Sequence, residues 1–114
     1  MIEAIQYAKT VLTPVLPTAI NHFGRKGSPY AVLRQVDRWC SRADNRPSMQ
    51  YDLIQVDVIA QDAPDFAVDK LVTKALEGAG YKQARTGGDS EETGGVMLHR
   101  ISHDYQYEQE YEEV

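Results

Sequence analysis

A strand that runs directly into a helix, between Tyr51 and Ala79, constrains the fold of this chain more than any other stretch. The segment YDLIQVDVIA alternates with a period of two residues, as a β-strand does, and FAVDKLVTKALEGAG repeats every three to four residues, as a helix does. One face of the strand is apolar throughout: Ile54, Val56, Val58 and Ala60. The apolar residues of the helix form a single stripe: Val68, Leu71, Val72, Ala75, Leu76 and Ala79.

The helix stripe is predicted to pack on the apolar face of the strand. Six side chains then form the centre of the core: Ile54, Val56, Val58, Leu71, Val72 and Leu76. Asp62 is predicted to cap the start of the helix, with Pro64 in the first turn and Asp65 in the position that completes a capping box. Gly78 and Gly80 are predicted to end the helix. The result is a β-turn-α unit around which the other elements can be placed.

Further elements flank this unit on both sides. In chain order they are a helix over residues 2–12, strands over residues 18–23 and 30–39, and a closing hairpin over residues 81–107. The strand over 30–39 and the central strand are predicted to form a hairpin, because the connection between them is rich in turn-forming residues. The tip of that hairpin carries Arg42 and Arg46 and is a candidate contact surface.

The predicted order, α-β-β-β-α-β-β, indicates an α+β fold in which two helices pack on one face of a mostly antiparallel sheet. At 114 residues the chain is predicted to form a single domain, residues 1–114. Two acidic segments stand out. The segment GGDSEETGG, residues 87–95, places Asp89, Glu91 and Glu92 between glycines and is predicted to be a mobile loop. The segment EQEYEEV, residues 108–114, is predicted to be a frayed tail.

Charge and cysteine content limit where the chain can act. The formal net charge of −5 argues against coating of duplex nucleic acid, because phosphate binding needs a positive surface. No basic cluster precedes the first apolar run and no apolar stretch reaches about 18 residues, so neither a signal peptide nor a membrane span is predicted. The single cysteine, Cys40, permits no intramolecular disulfide and fits synthesis in a reducing cytoplasm.

No group of residues predicts a catalytic or metal site. His99 and His103 share one face of the closing strand, but four residues along a strand span about 13 Å, too far for two imidazoles to bind one ion. Asp62, Asp65 and Asp69 lie at a helix start, where capping and the helix dipole explain them without acid–base chemistry. The sequence also lacks a glycine-rich phosphate loop and a nucleophile elbow. We therefore predict a protein that is not an enzyme and has no catalytic residues, metal or cofactor.

The second face of the central strand has mixed polarity and is predicted to meet a partner. Its side chains are Tyr51, Leu53, Gln55, Asp57 and Ile59. The apolar members would otherwise lie in water beside apolar residues of the neighbouring strands. Seven tyrosines also suit a surface that is partly buried and partly wet. A second subunit is the expected cover.

Five segments follow one another along the chain in the order MIEAIQYAKTVL, SPYAVLRQVDR, YDLIQVDVIAQD, KALEGAGY and LHRISHDYQYEQE. In these segments the sequence resembles the small tail completion proteins of long-tailed bacteriophages, which are the tail terminators or tail-to-head joining proteins. The resemblance covers most of the chain. The acidic end of the chain, EQEYEEV, departs from the pattern of that family.

The resemblance implies an α+β protein that assembles as a ring of six at the head-proximal end of the virion tail. Such a ring caps the tail tube and joins the tail to the head. Its partners would be other copies of the chain, the major tail protein and the head connector or stopper protein. DNA would pass through the bore without specific binding, with Asp89, Glu91 and Glu92 facing the bore or the tube, where like charge prevents adhesion. Arg42, Arg46 and the mixed strand face would form the oligomer or tail-tube contacts.

Two other classes of protein stay open at this point. One is a cytoplasmic ferredoxin-like module, dimeric, that binds a small ligand or regulates another protein. A glycine-rich or basic ligand loop would favour it, and the sequence shows neither. The other is a nuclease or another small enzyme, which would need acids clustered with a lysine at the edge of the sheet.

Overall fold

The computed structural model describes residues 2–21, 28–42, 48–93 and 95–111. The elements within these residues are α1 Ala4–Leu12, β1 Thr18–Ile20, β2 Tyr30–Ser41, β3 Ser48–Gln61, α2 Phe66–Gly78, β4 Lys82–Thr93 and β5 Val96–Tyr111. They form one five-stranded sheet in the order β1-β2-β3-β5-β4. β1 and β2 are parallel and the other neighbours are antiparallel. The predicted α+β class and order of elements are confirmed.

Both helices pack on the same face of the sheet. Ile54, Val56 and Val58 of β3 lie at the centre of this layer and are at most 1% exposed. Above them pack Ile5, Ala8 and Leu12 from α1 and Val72 and Leu76 from α2. The strict alternation of β3 places every second side chain under the helices, which is why the apolar face read from the sequence becomes the floor of the core.

The prediction that Leu71 lies at the centre of the core is wrong, because its side chain is 55% exposed. Only Val72 and Leu76 of α2 are fully buried, while Val68, Ala75 and Ala79 pack at the margin. The apolar stripe of α2 is wider than the face that the sheet covers. Leu71 stands about 90° around the helix from the centre of the buried side, so it falls on the flank.

The start of α2 also differs from the prediction. Asp65, rather than Asp62, is the N-cap, and its side chain accepts a hydrogen bond from the backbone N–H of Val68 at 3.0 Å. Asp62 has a φ of 69°, in the left-handed region that aspartate tolerates better than most residues. Its backbone N–H donates to the carbonyl of Met97 at 2.9 Å, so this residue forms the turn out of β3.

The acidic segment predicted as a loop is a strand instead. Residues 87–93 continue β4, and Asp89 lies opposite Arg100 of β5 in the register of the hairpin. An edge strand keeps its outward side chains in water, so a run of acids does not prevent the backbone from pairing. Residues 108–111 of the predicted tail likewise belong to β5 and pair with β3. Residues 112–114 lie outside the described part of the chain.

The sheet is much longer than the helices that cover it. Helices of 9 and 13 residues extend about 14 to 20 Å, whereas strands of 14 and 16 residues extend about 45 to 55 Å. The molecule measures 57 × 23 × 23 Å. The helices therefore cover the middle of the sheet, and the β2–β3 and β4–β5 hairpins extend from opposite ends. Neither helix in the described ranges has the length and apolar character needed to cross a membrane.

Candidate subunit interface

The face of the sheet opposite the helices carries the residues predicted to meet a partner. Tyr51, Leu53 and Gln55 are half-buried on this face. Asp57 and Ile59 are already buried within the chain, at 1% and 7% exposure. The area left open for another protein is thus the end of the face around Tyr51 and Leu53, where the β2–β3 hairpin extends past the helices.

An aromatic pair dominates this open end. Trp39 of β2 lies directly opposite Tyr51 of β3, and their rings stack with centroids 5.4 Å apart and an interplanar angle of 14°. Trp39 is nevertheless 39% exposed. Leu53 follows on the same face of β3, and we call Trp39, Tyr51 and Leu53 the aromatic patch. Large aromatic side chains are typical of protein interfaces.

Trp39 is the main residue of this surface that the sequence analysis does not single out. The signal for it lies in the register of the predicted hairpin. A connection over residues 40–50 places residue 39 opposite residue 51, and the structure has this pairing. The stack was therefore accessible from the sequence once the two strands were aligned.

A row of alternating charges crosses the middle of the same face. Asp57 Oδ2 lies 3.5 Å from Arg34 Nη1 and 3.7 Å from Arg100 Nε. Ser102 Oγ donates to Asp57 Oδ1 at 2.6 Å. Arg100 Nη1 continues the row to Asp89 Oδ1, 3.0 Å away. Two guanidinium groups and a hydroxyl compensate the buried carboxylate of Asp57, so we interpret this row as part of the scaffold.

A second, shorter row lies beside the first. Arg85 Nη2 is 2.7 Å from Asp104 Oδ2, and Asp104 is 6% exposed. Lys82 Nζ is 3.5 Å from Glu108 Oε1 on the same side of the sheet. Both rows reach β4 at the edge of the sheet, the first through Asp89 and the second through Arg85.

The remaining candidate residues do not form one surface. Arg42 is exposed just after the end of β2, and Arg46 lies outside the described residues. Asp89 points to the face opposite the helices, where it pairs with Arg100, whereas Glu92 is exposed and lies opposite Met97 on the helix side. The backbone of Glu91 lies between them in β4. Asp89 and Glu92 therefore lie on different faces of the strand.

A polar cluster around His103 joins α2 to the sheet. His103 Nε2 lies 2.9 Å from both carboxylate oxygens of Asp69. The other ring nitrogen, Nδ1, lies 2.9 Å from Thr86 Oγ1 and 3.0 Å from Gln83 Nε2. The cluster forms one wall of an open cleft of about 570 Å³ between α2 and β4. His99 is bonded separately, with Nδ1 2.8 Å from Ser90 Oγ.

A carboxylate, an imidazole and a hydroxyl in sequence are the elements of an activated nucleophile. In this cluster the amide of Gln83 donates to His103 Nδ1, so the lone pair that would accept the proton of Thr86 is already engaged. The described residues also contain no group of three or more side chains able to hold a metal ion. We interpret the cluster as a polar link that holds α2 against β4 and β5.

Several tyrosines belong to the core rather than to an interface. Tyr105 is fully buried and its hydroxyl lies 2.9 Å from Thr73 Oγ1. Burial disfavours the phenolate and raises the pKa of Tyr105 to about 12. Burial also raises the pKa of Tyr81 and of Tyr107, whose rings pack 4.8 Å apart. Tyr81 Oη donates to the carbonyl of Ala4 at 2.5 Å, which fixes the start of α1 to the sheet.

Comparison with known proteins gives matches among solved structures. No protein-family model and no curated protein sequence matches this chain. A solved chain from the virion of a native gene transfer agent particle is similar, with a TM-score of 0.48 and 14% identity, covering 91% of this chain and 84% of that chain. A second solved chain gives a TM-score of 0.42 and 15% identity, covering 96% of this chain and 89% of that chain.

Proposed function

We propose that this protein is a structural subunit of a phage-like virion, which closes into a ring on the head-proximal end of the tail tube and joins the tail to the head. The observation that carries the subunit contact is the aromatic patch of Trp39, Tyr51 and Leu53 on the face without helices. The phage setting and the number of six subunits come from the resemblance of the sequence to tail completion proteins.

The aromatic patch suits a permanent contact for two reasons. Its rings are already stacked and lie on paired strands, so little conformational freedom is lost when a partner covers them. Its position near one end of a molecule 57 Å long favours contact with a different surface of the next subunit. A contact of that kind, repeated around an axis, closes into a ring.

The acidic character of the chain suits a passage for DNA. With a net charge of −5 the subunit does not attract the phosphate backbone. Because β4 lies at the edge of the sheet, Asp89, Glu91 and Glu92 are proposed to border the bore or the tail tube from this edge, although Asp89 and Glu92 belong to different faces. The major tail protein and the head connector or stopper protein are the proposed partners on the two sides of the ring, and no step of this role requires a cofactor.

The competing ferredoxin-like hypothesis predicts a different order of elements. A ferredoxin-like module has the order β-α-β-β-α-β, whereas this chain has α-β-β-β-α-β-β among its described residues. The order of elements therefore does not favour a ligand-binding role of that type, which would have to be argued from a ligand site. We retain the virion role as the single proposal.

Removal of the gene from its phage or phage-like particle tests the proposal directly. Electron microscopy is expected to show tails of abnormal length, or heads and tails that are not joined. A wild-type copy supplied in trans is expected to restore complete particles. Normal infectious particles in the absence of the gene would refute the assignment.

A pair of matched variants tests the aromatic patch. Leu53→Arg places a charge within the patch and is expected to prevent ring assembly, because the charge would be buried without a partner. Leu71→Arg places the same charge on the exposed flank of α2 and is expected to leave assembly intact. Sedimentation velocity and complementation would measure both. Equal assembly by the two variants would show that the patch is not the subunit contact.

A further inference from the structure

Among the described residues, no strand pairs with the outer edge of β4. β4 ends the sheet and spans 12 residues, of which the stretch after the bulge at Gln83/Arg85 pairs regularly with β5. On the opposite side of the sheet, β1 covers three residues of β2, and a bulge between Gln35 and Asp37 interrupts the rest. A regular, open strand edge is a template for another strand.

The two charged rows end on this edge with opposite signs. The first row terminates in the carboxylate of Asp89, held by Arg100, and the second in the guanidinium of Arg85, held by Asp104. Both side chains lie on the face opposite the helices. They are four residues apart along β4, and Gly87 lies midway between them.

We propose that the free protein pairs with a second copy of itself through β4, antiparallel, about a two-fold axis at Gly87. In this register Arg85 of each copy lies directly opposite Asp89 of the other, so two cross-strand ion pairs form. Each charged row then continues across the seam into the row of the other copy. Cross-strand pairs of opposite charge stabilise an antiparallel ladder and like charges destabilise it.

Other pairings of the same edge are less favourable. A parallel, in-register pair would place Asp89 beside Asp89 and Arg85 beside Arg85, and like charges would then meet along the seam. The antiparallel pair about Gly87 avoids this, because the two-fold axis places the basic Arg85 of one copy opposite the acidic Asp89 of the other. The regular part of the seam is five residues long, residues 85–89. The dimer is therefore expected to be weak and to depend on protein concentration and salt.

This contact goes beyond the proposed ring and does not use the aromatic patch, although it shares Asp89 with the acids proposed to face the bore or the tail tube. The ring contact was assigned to the aromatic patch on β2 and β3, whereas the seam lies on β4 at the edge of the sheet. It also needs no tail or head protein. The seam is therefore tested on the purified chain, and its failure would leave the proposed virion role unaffected.

Cysteine cross-linking tests the register. Gly87→Cys is introduced into a Cys40→Ser background, and a Cβ at residue 87 has no atom within 4 Å, so the side chain fits. Directly opposed residues have Cα atoms about 4.5 to 5.5 Å apart, which a disulfide spans. Oxidation is expected to give a covalent dimer of twice the 12.8 kDa chain mass.

The matched control is Ser90→Cys in the same background. In the proposed register the two copies of residue 90 are about 20 Å apart, so this variant is expected to stay monomeric on oxidation. Absence of the Gly87→Cys dimer, or equal cross-linking at the two positions, would overturn the proposal. Leu53→Arg added to Gly87→Cys is expected to cross-link normally, which separates the seam from the ring contact.

Charge exchange tests the ion pairs. In the Gly87→Cys background, Arg85→Glu places two acids opposite each other and Asp89→Arg places two bases opposite each other, so each variant alone is expected to cross-link about tenfold less. A mixture of the two restores both opposite-charge pairs and is expected to give the mixed dimer at the original yield. Circular dichroism confirms that each variant is folded. A mixture no better than either variant alone would refute the register.

Discussion

The packing of α2 can be tested with two identical substitutions on one helix. Leu76 is fully buried and Leu71 is 55% exposed. Leu76→Ala removes a packed side chain and leaves a cavity, so it is expected to lower the free energy of unfolding by about 2 to 5 kcal/mol. Leu71 keeps less than half of its surface covered, so Leu71→Ala is expected to cost less than about 1 kcal/mol. The change in helix propensity is the same at both positions and cancels in the difference.

Urea titration followed by circular dichroism measures both values, with a common slope fitted to the two variants and the wild type. The titration is repeated at two protein concentrations, because self-association would add to the apparent stability. A separation of at least about 1 kcal/mol between the variants is expected. Equal losses, or a larger loss for Leu71→Ala at low concentration, would show that the helix presents a different face to the sheet.

Three further predictions concern single residues. The raised pKa of Tyr105, about 12, means that stability is intact below about pH 10 and falls as the pH rises toward 12, and Tyr105→Phe is expected to make this alkaline loss shallower in a circular dichroism titration. Gly88→Ala brings a Cβ within 2.9 Å of the Arg100 carbonyl oxygen and is expected to cost about 1 to 3 kcal/mol, whereas Gly87→Ala meets no atom within 4 Å and is expected to be neutral or stabilising in thermal melts. Asp65→Ala removes the cap of α2 and is expected to cost about 1 kcal/mol in urea, while Asp65→Asn is expected to retain most of the stability.

The central part of the fold could be predicted because its periodicity is strong and local. The alternation of β3 and the stripe of α2 each specify a buried face without knowledge of the neighbours. Leu71 could not be assigned in the same way, since the width of the face that a sheet covers depends on how the helix is rotated. Asp62 and Asp65 both fit the start of a helix. The turn that selects Asp65 depends on the hydrogen bond from Asp62 to Met97, which is distant in sequence.

The acidic strand and the polar cluster could not be predicted from local pattern. β4 is held by backbone pairing with β5, and the charges on residues 89–92 give no sign of that pairing. His103 meets Asp69 from a helix 34 residues earlier in the chain, so the contact depends on how α2 crosses the sheet. The candidate interface could be predicted in part. Alternation along β3 identifies Tyr51 and Leu53, whereas Trp39 can be placed beside them only when the register of the β2–β3 hairpin is known.

The short span of the helices on a long sheet makes this molecule stiff at its centre and compliant at its ends. Where helices cover the strands, bending would open the core and is strongly resisted. Beyond them the described parts of the hairpins contain few buried residues, so little opposes a change of twist. The helices therefore hold the middle of the sheet in one shape and leave both ends free to bend. Its two ends can bend independently to meet surfaces of different curvature while the register of the central strands does not change.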